Sequence, residues 1–155
     1  MTAEDVERSI REAFSRVSRP EKLAEKSDAD VEELRQDLKA KPWAELTVPE
    51  LMRHRSTISL LSSQAFRFYL PAYLLVSLDQ TREGHVEDLR EATLYALGPH
   101  LSGKPDPGRE KRFHERIASL DEQQRQAIRA WVKLVRAQSP HPKDFTALDP
   151  KGVWA

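Results

Sequence analysis

A single all-α domain is the fold this chain predicts, and three observations predict it. Apolar residues recur at spacings of three and four along almost the whole length. Proline, glycine and small polar residues interrupt that pattern at helix-length intervals. No alternating run of strand type extends beyond a few residues. The expected architecture is a compact orthogonal domain over residues 1–155, with six or seven helices around a kinked central one.

Each element has its own justification. Val6, Ile10, Phe14 and Val17 form one stripe on a helix from about Ala3 to Val17, stopped by Pro20. Asp28 and Asp30 offer N-caps to a short helix burying Val31, Leu34 and Leu38, and Pro42 ends it, with Trp43 in the connection. Thr47-Val48-Pro49-Glu50 reads as a capping box with proline in the first turn, opening a helix that carries Leu51 and Met52. Ser62 or Ser63 then caps the central segment. Val86, Leu89, Ala92, Thr93 and Leu97 mark the next helix, closed by Gly98-Pro99. Residues 98–108, with three prolines, read as an irregular loop. A short helix around Phe113 and Ile117 follows. Asp121 to Gln124 cap a long last helix burying Leu120, Ala127, Ile128, Trp131, Leu134 and Val135. Three more prolines make residues 139–155 an irregular tail, in which Phe145, Leu148, Val153 and Trp154 are placed to pack back on the body.

The central segment, Ser62 to Leu78, is the densest apolar stretch. Phe66, Tyr69, Leu70 and Tyr73 share one side of a helix and Phe68, Ala72, Leu75 and Val76 the other, the pattern of an element packed on several sides. Pro71 cannot donate to the Arg67 carbonyl, so the segment is one kinked helix or two that meet. Arg67 lies on a face with Leu70, Leu74 and Leu78, where an unpaired buried charge is costly. It is expected to be paired, tying the helix to a neighbour. The functional alternative is a pocket in which Arg67 with Tyr69 or Tyr73 recognises an anionic group.

Composition narrows the function. Leu, Ile, Val and Phe make up 36 of the 155 residues, enough for one modest core under a surface that is 32% charged across the chain. Net charge is zero, which disfavours gripping a nucleic-acid backbone as the main task. There is no cysteine, hence no disulfide framework or thiolate chemistry. The charged N-terminus is unlike a signal peptide, and the longest apolar run, Phe68 to Val76, is far short of the roughly 20 residues of a membrane span. A cytoplasmic protein with no membrane partner is expected.

The residues also carry a resemblance. Trp43, the helix TVPELMRHR and the block LLSSQAFRFYLPAYLL resemble an uncharacterised family of small bacterial proteins, a domain of unknown function. Its members carry a Trp and then a stretch reading roughly "fLsp-eAFryYLPAyL". The later FHERIASLDEQQRQAIRAWVKLV resembles the family's second block, so the likeness runs from Trp43 to Val135. Ser63 departs from the pattern, standing where proline is expected. The resemblance implies no activity. An immunity-type role follows only by analogy with small domains that accompany bacterial toxin systems.

Catalytic constellations are few. GxSxG, P-loop, GxGxxG, HExxH and EF-hand patterns are all missing. Glu50 and His54 have the spacing of half a metal site and read as a surface pair. His85 with Glu87 and Asp88 belongs to a helix start. His100, Asp106 and Arg109 cluster in sequence near the proline-rich loop. No cofactor or metal and no catalytic residue is assigned. Charge is uneven: residues 1–50 carry 9 basic and 13 acidic side chains, net −4, and residues 100–155 carry 11 and 7, net +4. Arg125, Arg129, Lys133 and Arg136 form a stripe on the last helix that meets solvent, the acidic half of the chain, an acidic partner or nucleic acid. The reading that follows is a protein-binding or regulatory module whose partner is another protein. The alternatives are an enzyme of unrecognised class around Arg67 and a nucleic-acid-associated regulator using the basic stripe.

Overall fold

The computed structural model describes residues 2–24, 29–38, 41–42, 45–78, 86–98, 107–138 and 152–154. These residues form seven α-helices: α1 (Ala3–Phe14), α2 (Ala29–Leu38), α3 (Val48–Arg53), α4 (Ser63–Val76), α5 (Val86–Ala96), α6 (Pro107–Ser119) and α7 (Glu122–Gln138). A short 3-10 helix, Thr57–Leu60, sits between α3 and α4. There is no strand among the described residues.

The helix α4 is the hub. It packs against α1, α5, α6 and the 3-10 helix, while α1 lies along α7. Residues 65–66 and 68–74 are all buried, as expected of an apolar segment enclosed on several sides. Pro71 is accommodated inside one helix, so the alternative of two meeting helices is not adopted. Around this hub Ile10, Phe14, Leu34, Leu51, Leu89, Ile128 and Trp131 are completely buried in one core. At roughly 25 cal/mol per Å² of apolar surface, that burial is the main stabilising contribution.

The caps explain where the helices begin. Thr2 and Asp5 form a reciprocal capping box on α1. Asp121 Oδ1 accepts from Gln124 N–H at 2.8 Å while Gln124 Oε1 accepts from Asp121 N–H at 3.0 Å, a box that opens α7. Ser62 caps α4, its hydroxyl accepting from Ala65 N–H at 3.2 Å.

Four expectations are corrected. The first helix ends at Phe14, because Ser15 takes the C-cap and bonds back to the Glu12 carbonyl, and Val17 packs from the connection. The Thr47–Glu50 capping box does not form. The Thr47 hydroxyl donates to Glu50 Oε1 instead (3.0 Å), and Lys41 Nζ holds the same oxygen at 2.8 Å. The helix around Phe113 is 13 residues long, and Pro107 and Gly108 belong to it rather than to a loop at 98–108. Proline fits a first helical turn because its missing N–H has no intrahelical partner there. On α7, Val132 is buried and Leu134 only half-buried. Trp43, Asp28, Pro99 and most of the 139–155 tail lie outside the described residues. Trp154 is buried and donates to the Leu97 carbonyl at 2.7 Å, after a turn in which Gly152 takes a positive φ of 63°.

Candidate functional site: an arginine cleft beside the central helix

A cavity of about 360 Å³ opens between the connection after α1 and the first turns of α4. The connection contributes Arg16, Ser18, Arg19 and Glu21, and α4 contributes Gln64 and Arg67. The wall is tied in place by Ser62. Its hydroxyl donates to the Lys22 carbonyl at 2.7 Å, and its N–H donates to the Leu23 carbonyl at 2.7 Å. One residue thus caps α4 and anchors the segment facing it.

Arg67 is the centre of this site, and its expected pairing is not observed. The guanidinium has no hydrogen bond or ion pair among the described residues, and its Nε is buried without a partner. The neighbouring Arg19 lies 5.9 Å over the Phe68 ring and donates to the Lys41 carbonyl at 3.4 Å, which fixes its direction. Arg16 is exposed at the rim. Arginine stays protonated throughout the physiological range, so three such groups hold anions and do not pass protons.

The two tyrosines lie elsewhere. Tyr73 is completely buried and its hydroxyl donates to the His54 carbonyl at 2.8 Å. Burial pushes its phenol far above the ordinary range, with a smaller push from Tyr69. Tyr69 packs edge-on against Phe68 at 4.9 Å. Burial raises its phenol too, against a partly opposing field from Arg19. Neither ring lines the cavity.

The basic stripe is largely spent inside the molecule. Arg125 donates through Nε and Nη2 to the Ile117 carbonyl at 3.3 and 3.2 Å. Arg129 reaches the Val153 carbonyl at 3.4 Å and Glu122 at 3.2 Å. Lys133 and Arg136 are exposed.

The Glu50–His54 surface pair is also corrected. His54 is only 2% exposed, and its Nε2 lies 2.8 Å from Asp37 Oδ2, which also accepts from Arg53 at 3.1 Å. Those contacts, His54 first and Arg53 next, hold the Asp37 carboxyl below its ordinary range. Lys41 likewise holds Glu50 low. No group of three or more potential metal ligands occurs among the described residues. His85, His100, Asp106 and His141 lie outside them.

Three further arginines, of which only Arg109 stood out in the sequence, are buried. Arg90 clasps the Ser77 carbonyl at 3.2 and 2.8 Å. Arg109 stacks 4.0 Å from the Tyr95 ring and donates to the Tyr95 carbonyl. Arg116 lies 4.8 Å over Phe66 and donates to the Ser59 and Leu61 carbonyls at 2.5 and 3.1 Å. Burial, assisted by the charges of Arg112 and Arg109, pulls Arg116 down to about 10, which leaves it charged at neutral pH. Arg16 and Arg19 were not singled out in the sequence either. Their one signal is local: two arginines three apart, immediately before Pro20, where the first stripe runs out.

Known proteins add a family and no activity. The family model that matches, over residues 2–154, is that of a family of unknown function, DUF6714. No curated protein and no solved structure matches the chain.

Proposed function

We propose that this chain, which belongs to the DUF6714 family, is a small cytoplasmic binding module that holds an acidic group of a partner protein in the arginine cleft. The observation that carries the reading is the buried, partnerless Nε of Arg67 in a cavity that also receives Arg16 and Arg19. A buried donor without an acceptor costs about 1–3 kcal/mol. Arg67 is half-buried and makes no hydrogen bond or ion pair among the described residues, so its guanidinium is left to meet an anionic group of a partner, and the affinity comes from a donor already placed on a rigid helix. The cleft's guanidiniums favour holding over proton transfer, which supports a binding role ahead of catalysis.

The test is capture from native extract on immobilised full-length protein, wild type against Arg67→Met, with thermal melts to establish that both are folded. The expected result is a partner retained by the wild type, displaced by added sulfate and lost with the variant. Identical retention by both proteins overturns the proposal.

A further inference from the structure

Resting on that reading, we infer that the acidic group the cleft receives is a phosphoryl dianion, carried on a side chain of the partner. The charge of the lining is the first argument. Three arginines against Glu21 leave a net +2 in a partly enclosed space. A phosphorylated side chain brings about −1.5 to −2 at neutral pH and three acceptor oxygens. A carboxylate brings one charge and two oxygens, and would answer only half of that net charge.

Geometry is the second argument. Arg67 stands on α4 and Arg16 on the facing connection, so guanidinium groups line the cavity on two sides, with the charge of Arg19, held on Phe68 and the Lys41 carbonyl, beside them. A lining of this kind on two sides suits a tetrahedral group, whereas a single guanidinium fork already saturates a planar carboxylate. Gln64, in the first turn of α4, adds an amide donor on the same side as Arg67. The volume, about 360 Å³, is at the small end of ligand cavities, roughly 300–1,000 Å³. It has room for the phosphoryl group together with the side chain that bears it.

The surroundings select the carrier. One wall of the cleft comes from the first fifty residues, a segment of net charge −4, and Glu21 of that segment stands in the lining. A nucleic-acid strand would bring further phosphates toward that acidic segment, and an isolated phosphomonoester would not.

The experiment titrates the full-length, ¹⁵N-labelled protein with inorganic phosphate, O-phosphoserine, sulfate and acetate at constant ionic strength, following the arginine Nε–Hε resonances. Phosphate and O-phosphoserine are expected to shift the Arg67 resonance saturably. Acetate should bind about tenfold more weakly, as one lost charge-assisted contact implies. Between about pH 7.5 and 5.5 phosphate affinity should fall several-fold as the dianion takes up a proton, while sulfate affinity stays level. Arg67→Lys, which keeps the charge and loses the fork, should weaken phosphate by about tenfold, and Lys133→Met should leave it unchanged. Acetate binding as tightly as phosphate, or phosphate affinity indifferent to pH, overturns the phosphoryl assignment and leaves the binding reading standing if extract capture still depends on Arg67. Capture that ignores Arg67→Met overturns the binding reading itself, whatever the small anions do.

Discussion

Two sets of arginines surround the central helix, and they meet opposite fates. Around the central helix and beyond it, Arg90, Arg109, Arg116 and Arg125 each give their guanidinium to backbone carbonyls at the end of a preceding helix. Near its N-terminal end, Arg67 gives its guanidinium to nothing among the described residues. The first set completes the fold, since the last carbonyls of a helix have no intrahelical donor and need one from elsewhere. The second is surplus to it. A buried arginine is therefore no sign of function by itself in this molecule; what distinguishes Arg67 is an unspent donor in a cavity.

The sharpest way to break this comparison is to remove a member of the first set. Arg116→Met keeps a stem of similar length on Phe66 and strips the donors from the Ser59 and Leu61 carbonyls. It should cost about 2–4 kcal/mol in urea unfolding, because two carbonyls lose a charged partner. A loss below about 0.5 kcal/mol, the level of an ordinary surface change, would mean that the carbonyl clamps contribute nothing. Tyr73→Phe deletes one neutral bond to the His54 carbonyl in the same buried setting. A loss of about 1–2 kcal/mol is expected, measured the same way.

A smaller effect is expected where the acceptor is a carboxylate. Asp37 titrates lower when folded than when unfolded, so its contacts with His54 and Arg53 contribute stability above the unfolded value, about 4. That contribution is lost as pH falls through the folded value. The difference in urea midpoint between wild type and Asp37→Asn should shrink from neutral pH to about pH 3. A difference that is constant over that range would show that the pair is energetically silent.

The smallest effect sharpens the comparison from the other side. Arg67→Met should change stability by no more than about 0.5 kcal/mol, or raise it, since it removes a buried donor that has no partner. If it destabilises as strongly as Arg116→Met, Arg67 belongs with the structural set and the cleft loses its basis.

The helices were legible from residue spacing. Val6, Ile10 and Phe14, or Val31, Leu34 and Leu38, repeat at intervals that only a helix turns to one side, and all six are buried. Ser62 announced its cap because serine before an apolar run has a local use for its hydroxyl. The buried arginines were not legible, for a definite reason. Their acceptors are main-chain carbonyls, which every residue possesses, at separations such as the 57 residues between Arg116 and Ser59. No side-chain pattern records such a meeting. Likewise Glu50 stands one turn from His54, yet the ring turns inward to Asp37, 17 residues away. Arg67 was conspicuous as a charge on an apolar face, but whether it found a partner depended on how the Arg16–Glu21 segment crosses α4, which tertiary contacts through Ser62 decide.

The carbonyl clamps have a direction along the chain. Ser77 is met by Arg90, Tyr95 by Arg109, Leu97 by Trp154 and Ile117 by Arg125, so each helix end is closed by a segment made after it. A nascent chain thus carries an unfinished helix end at each of these stages of synthesis, and the Leu97 carbonyl just past α5 lacks its indole donor until Trp154 has been added. Trimming the last few residues of the chain would undo that final closure, which makes the tail a lock on a helix lying some fifty residues upstream of it.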